Sequence, residues 1–161
     1  TRMDNIEKGI LSDGMNLKTN DNSWSIGGEG QPTVEGFQDF AIGFAEMIHK
    51  EVSGYYLSNP QTPDVVSTIY MGRHINNTAT ESRKGRLWGH LPDMQFNMQV
   101  HTDWHTHPTY GHSEAARTRP SGLYDGKGDI GSKRNALQAP HPYNRPLNFI
   151  ILTSGYAPIP Y

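Results

Sequence analysis

The chain has 161 residues and a formal charge of −2, the size of one domain and too little charge for a surface that holds nucleic acid through its phosphates. Leu, Ile, Val and Phe make up just under one fifth of it, which at so low a net charge reads as a thin core rather than disorder. There is no cysteine, so disulfides, thiolate-held zinc, iron–sulfur clusters and a Cys nucleophile are excluded. No apolar run approaches the ~18 residues of a membrane span, and no charged-then-apolar start reads as a signal peptide. Neither nucleic acid nor a membrane is an expected partner, and an opening on Thr1 reads as a piece of a larger polypeptide.

Residues 1–31 are polar, with Ser12-Asp13-Gly14, Asn20-Asp21-Asn22 and Gly27-Gly28-Glu29-Gly30, and read as a lead-in or linker ahead of a domain over 32–161. Val34, Phe37, Phe40, Ala41, Phe44, Met47 and Ile48 then recur at three- and four-residue spacing, which predicts a helix over 33–50 with Thr33 as N-cap. Gly36 and Gly43 weaken it by about 1 kcal/mol each relative to Ala. Gly54-Tyr-Tyr-Leu57 and Val65 to Met71 read as strands around a turn at Asn59 to Pro63.

From Gln95 to His107 the pattern alternates strictly. Phe96, Met98, Val100, Thr102 and Trp104 fall on one parity, and Gln95, Asn97, Gln99, His101, Asp103, His105 and His107 on the other. That predicts a strand with one core face and one polar face. Residues 108–128 read as a long loop, Asp129 as the cap of a short helix through Leu137, and Leu147 to Thr153 as a closing strand. The order of elements gives an α+β or three-layer α/β/α-like domain with a central mixed sheet flanked by helices.

Four of the eight histidines lie between His101 and His112. Two residues apart on a strand, His105 and His107 share a side with Cα atoms roughly 6.5–7 Å apart. Both imidazoles can then converge on one ion at Zn–N distances of about 2.0–2.1 Å. Pro108 stops the strand and sets the pair beside a loop, at a sheet edge. The plain alternative is a solvated polar face that happens to be His-rich; His-Thr-His-Pro at the end of an amphipathic strand favours the metal. Barrel hydrolases with His-x-His need at least ~200 residues, and only 54 of the 161 follow His107. Deaminases of the cytidine type need Pro-Cys-x-x-Cys.

Glu51 in Glu51-Val-Ser-Gly54, then His105-Thr-His107-Pro108, then Ser121 with Asp125 or Asp129 resemble the JAB/MPN metallopeptidase superfamily, whose motif is Glu, His-x-His-Pro, seven residues and Ser-x-x-Asp. The likeness spans about residues 33–155 and includes the order of elements. Twelve residues separate Pro108 from Ser121, and no Ser-x-x-Asp follows. The resemblance implies zinc held by His105, His107 and Asp129, with Asp125 the alternative third ligand. It implies Glu51 as proton shuttle, Ser121 as oxyanion stabiliser, and hydrolysis of a peptide or isopeptide bond in a protein or peptide substrate. The altered spacing keeps a second expectation open, a catalytically inactive binding or scaffold module of the same fold. Divergent bacterial relatives place such a domain either in the cytoplasm or as a module of an exported, toxin-type protein.

Each residue also has a plainer reading. A Glu just past a helix C-terminus faces the negative end of the macrodipole, at a cost of a few tenths of a kcal/mol. Asp129 as a plain N-cap is worth about 1 kcal/mol, Asp125 sits in an ordinary turn, and Ser121 is a turn serine after Pro120. Asp103 is expected to orient an imidazole, His101 to lie behind it or in solvent, and His112 to be a solvated loop histidine or a substrate contact. Trp104, Phe37, Phe40 and Phe44 are expected in the core.

Overall fold

A computed structural model describes residues 23–74, 82–83 and 98–161. Residues 1–22 of the polar lead-in, and Gln95, Phe96 and Asn97 of the alternating stretch, lie outside them. Chain order is β1 (Ser23–Ser25), α1 (Val34–Ile48), β2 (Ser53–Ser58), β3 (Val66–Met71), β4 (Arg73–His74), β5 (Ser82–Arg83), β6 (Gln99–Thr106), α2 (Glu114–Arg117), α3 (Gly128–Leu137), a 3₁₀ turn (Pro142–Asn144), β7 (Asn148–Leu152) and β8 (Ile159–Pro160). The fold is mixed α+β. One six-stranded sheet runs β1-β3-β2-β6-β7-β8, with β6 and β7 parallel and the other neighbours antiparallel. The pair β4–β5 stands apart from it as a two-stranded ribbon. Among the described residues no helix is long and apolar enough to cross a membrane.

Helix α1 starts where its apolar stripe starts. Thr33 caps it, its hydroxyl accepting from Gly36 N–H at 3.0 Å, which satisfies one of the orphan donors of the first turn. It stops at His49, whose left-handed φ of 56° turns the chain toward Glu51 and β2. The stripe buries Phe37, Ala41, Phe44 and Ala45 against Tyr56, Ile69, Met71, Trp104 and Leu152. Phe37 meets the fully buried Trp104 edge-on at 5.5 Å. Gly54 makes room for that indole: a Cβ there would sit 1.8 Å from the Tyr70 carbonyl oxygen and 2.8 Å from the Trp104 ring, so this strand position needs glycine. Part of the expected lead-in belongs to the sheet. Ser23–Ser25 pairs with β3, and the Trp24 ring lies 5.2 Å from Phe37.

The alternation expected along β6 breaks at His101. Pairing with β2 runs Ser53↔His105 to Tyr56↔Thr102 and then shifts to Leu57↔Val100, which makes His101 the extra residue of a β-bulge. The bulge moves Val100 off the face of Trp104, and it packs instead with Leu57 and Tyr70 on the other side. The face expected to be polar is polar but not solvated. Asp103, His105 and His107 are buried like Trp104, because β6 is an inner strand with residues above both faces. The histidine pair thus lies beside a loop at the C-terminal end of β6, an inner strand of the sheet. Nor is 108–128 wholly irregular: Ser113 caps the one-turn helix α2, its hydroxyl accepting from Ala116 N–H at 3.1 Å.

Candidate metal centre

The β2–β6 register builds one half of the site. Ser53 pairs with His105, and the same register carried two places further sets Glu51 opposite His107. Both junctions are pinned, since Val52 N–H donates to Thr106 Oγ1 at 3.0 Å and Thr106 N–H to Val52 O at 2.8 Å. The Thr153 hydroxyl donates to the His107 carbonyl at 2.7 Å, which ties the end of β6 to the residue after β7. The other half is Asp129. It lies inside the first turn of α3, not at its N-cap, which is Lys127 and makes no side-chain cap bond. Its carboxylate therefore does something other than the capping expected of it. Asp129 Oδ2 accepts from Ser121 N–H at 2.8 Å while Ser121 Oγ accepts from Asp129 N–H at 2.9 Å. Gly128 permits this clasp, with a φ of +52° and a position where a Cβ would lie 2.3 Å from Ser121 Oγ.

The two halves meet in a triangle. His105 Nε2 and His107 Nε2 are 3.0 Å apart, and Asp129 Oδ2 lies 3.3 Å and 3.4 Å from them. Ligand atoms at about 2.0–2.1 Å around a tetrahedral ion are about 3.3–3.4 Å from one another, so the donor set fits zinc in size as well as in kind. His107 is already prepared for the role. Its Nδ1 lies 3.2 Å from the Arg117 carbonyl, which can only accept, so the proton belongs on Nδ1 and Nε2 keeps its lone pair. Arg117 is itself held, its guanidinium donating to Thr153 Oγ1 at 3.1 Å and to Ser154 O at 2.6 Å. Burial pushes the Asp129 carboxyl up, but its contacts with the two imidazoles and the hydrogen bond from Ser121 N–H outweigh it and hold the group well below the usual carboxylate range. The site thus presents a carboxylate anion beside two imidazoles.

The remaining expected residues divide. Glu51 is buried, and a carboxylate oxygen of it falls within 4.8 Å of ring nitrogens of His107 and His112. Asp125 stays outside, its exposed carboxylate closing a turn by accepting from Lys127 N–H at 3.0 Å. Ser121 reaches the centre through its backbone N–H, while its hydroxyl is engaged by Asp129. Asp103 shares the buried face, and its charge helps burial push the Tyr55 and Tyr161 hydroxyls up. His101 is turned aside by the bulge, with Nδ1 2.7 Å from Thr102 Oγ1.

Two contributors have little or no signal in the sequence. His112 is half-buried rather than solvated and stacks on His107 at 5.0 Å and 15°; the density of histidines after His101 is the only hint of it. Tyr161 covers His105 edge-on at 5.7 Å and touches Phe149 at 5.9 Å, a contact made by folding across the sheet that no local pattern encodes. Searches against family models, curated proteins and solved structures match nothing.

Proposed function

We propose that this chain is a zinc-dependent hydrolase of a peptide or isopeptide bond, of the JAB/MPN type. The observation that carries the reading is the convergence of His105 Nε2, His107 Nε2 and Asp129 Oδ2 on one point at 3.0–3.4 Å, with the buried Glu51 beside it. Further support comes from the order of parts: a helix, Glu51 ahead of a strand, His-x-His-Pro ending an inner strand, and the third ligand in the first turn of a later helix. Two imidazoles and one carboxylate are the three-ligand set of a catalytic zinc site, where a structural site has four protein ligands.

When bound, zinc supplies Lewis acidity to a substrate carbonyl and acidity to a water. The chain's own groups do the rest. Glu51, held by the Val52–Thr106 clasp, takes a proton from water at its carboxylate and hands it to the leaving amine, base first and acid afterwards. His107, locked through Nδ1, and Asp129, locked through Ser121 N–H, keep the ligand set rigid. Tyr161, its hydroxyl pushed up by burial and by the charges of Asp103, Asp129 and Glu51, stays a neutral phenol above His105. The engaged Ser121 hydroxyl favours the second reading, a binding module without the chemistry. Metal content and one variant separate the two: the purified chain carries one zinc, and Glu51→Gln keeps it while losing about 10²–10⁴ in rate, the worth of a positioned general base. Protein cleavage compared between cells expressing wild type and Glu51→Gln is the measurement. Indistinguishable cleavage with zinc bound in both removes Glu51 as base.

A further inference from the structure

We infer that the centre has a second zinc position, built from Glu51, His107 and His112, which competes with the first for the His107 imidazole. The inference rests on the reading that the first position holds zinc. One ligand atom from each of the three residues lies within 4.8 Å of the others, just as in the set His105, His107 and Asp129. Both sets contain two imidazoles and one carboxylate, a donor combination suited to zinc. His107 is common to both.

His112 is placed for this by contacts on either side of it. Thr109 is clamped to Glu46 on α1, its N–H donating to Oε1 at 2.7 Å and its hydroxyl to Oε2 at 2.6 Å. Tyr110 stacks on His49 at 4.4 Å and 9°, and Ser113 caps α2, whose Arg117 carbonyl holds His107 Nδ1. The His112 ring lies flat against His107, with Nδ1 facing the Tyr110 carbonyl at 3.4 Å.

With its Nδ1–H given to Arg117, His107 has one lone pair to offer, and a single ion can use it at a time. Zinc in the first position does not take the Glu51 carboxylate as a ligand, and the carboxylate moves protons. In the second position zinc takes that carboxylate as a ligand and leaves Asp129 clasped to Ser121. The pair of positions is therefore a working state and a resting state of one ion, and His112 decides between them.

Zinc stoichiometry by elemental analysis and zinc affinity by competition with a chromogenic chelator test this on wild type, Asp129→Ala, His112→Ala and the double variant, with far-UV circular dichroism to verify folding. Asp129→Ala is expected to keep one zinc at reduced affinity, and adding His112→Ala to it to lower affinity further by more than the roughly 10–100-fold that loss of an outer partner of a metal ligand costs. His112→Ala alone keeps its zinc. Equal affinities for Asp129→Ala and the double variant overturn the second position while leaving the first intact. A wild type without zinc overturns both.

Discussion

Helices α1 and α3 lie over opposite faces of the sheet and are held there by different physics. Trp104 and His105 are neighbours on β6 and point to opposite sides; α1 packs against the first and α3 reaches the second. Helix α1 buries four side chains in a continuous apolar cluster. Helix α3 buries none. It is attached through Asp129 to His105, His107 and Ser121 and through Lys133, whose Nζ donates to Tyr161 O at 2.6 Å and lies 5.1 Å from the centre of the Phe149 ring. Burial of apolar area is non-directional and tolerates small shifts, whereas these polar attachments hold only at defined distances. One side of the sheet supplies stability and the other supplies geometry.

The comparison is sharpest under substitution of Phe44. Phe44→Ala is expected to cost about 3–5 kcal/mol, the transfer and cavity terms of a buried aromatic, read from denaturant unfolding. A loss under about 1 kcal/mol, the size of an ordinary surface change, breaks the assignment of α1 as the core helix.

A smaller effect on the same side comes from Tyr56, whose hydroxyl accepts from Gln38 Nε2 at 3.0 Å. Burial pushes it up from 10.0 to about 12. A raised folded value means the stabilisation is fully present below pH 10.0 and is lost as pH rises to about 12. The unfolded chain ionises first, and the loss reaches about 2–3 kcal/mol at roughly 1.4 kcal/mol per pH unit. Stability measured across that window should fall in wild type and fall less steeply in Tyr56→Phe.

On the polar side, His107→Ala should abolish stoichiometric zinc and leave the fold standing, at a cost of about 1–2 kcal/mol for the orphaned Arg117 carbonyl. Elemental analysis and thermal unfolding check the two parts, and a collapse as large as that of Phe44→Ala would erase the distinction between the faces. The smallest effect is expected from Glu46→Gln, which weakens both bonds to Thr109 for about 1 kcal/mol. Its readout is faster amide exchange at residues 109–113 with no change in zinc stoichiometry.

Legibility in the sequence followed the same division. The helix at 34–48, its Thr33 cap and the strands on either side of residues 59–63 were readable because apolar periodicity and capping are local. His105 and His107 were readable for a related reason, since a two-residue spacing on a strand fixes the side on which both point. The break at His101 was not, because a bulge is set by the pairing with β2 and not by the strand's own residues. Asp129 could be named as a candidate, yet by local rules it was an N-cap, and its partners lie far along the chain.

By itself, then, the amino-acid sequence determined the apolar helix, the inner strand ending in His-Thr-His-Pro and the absence of any thiol ligand. These follow from residue type and short-range periodicity. Only the tertiary structure decided that Asp129 and not Asp125 faces the imidazoles, that His112 stacks on His107, and that Tyr161 covers His105. Those are meetings between segments remote in sequence. They depend on sheet order, on a bulge and on a glycine-enabled clasp between Ser121 and Asp129, and no local pattern fixes the distance at which two separate stretches of backbone come to rest.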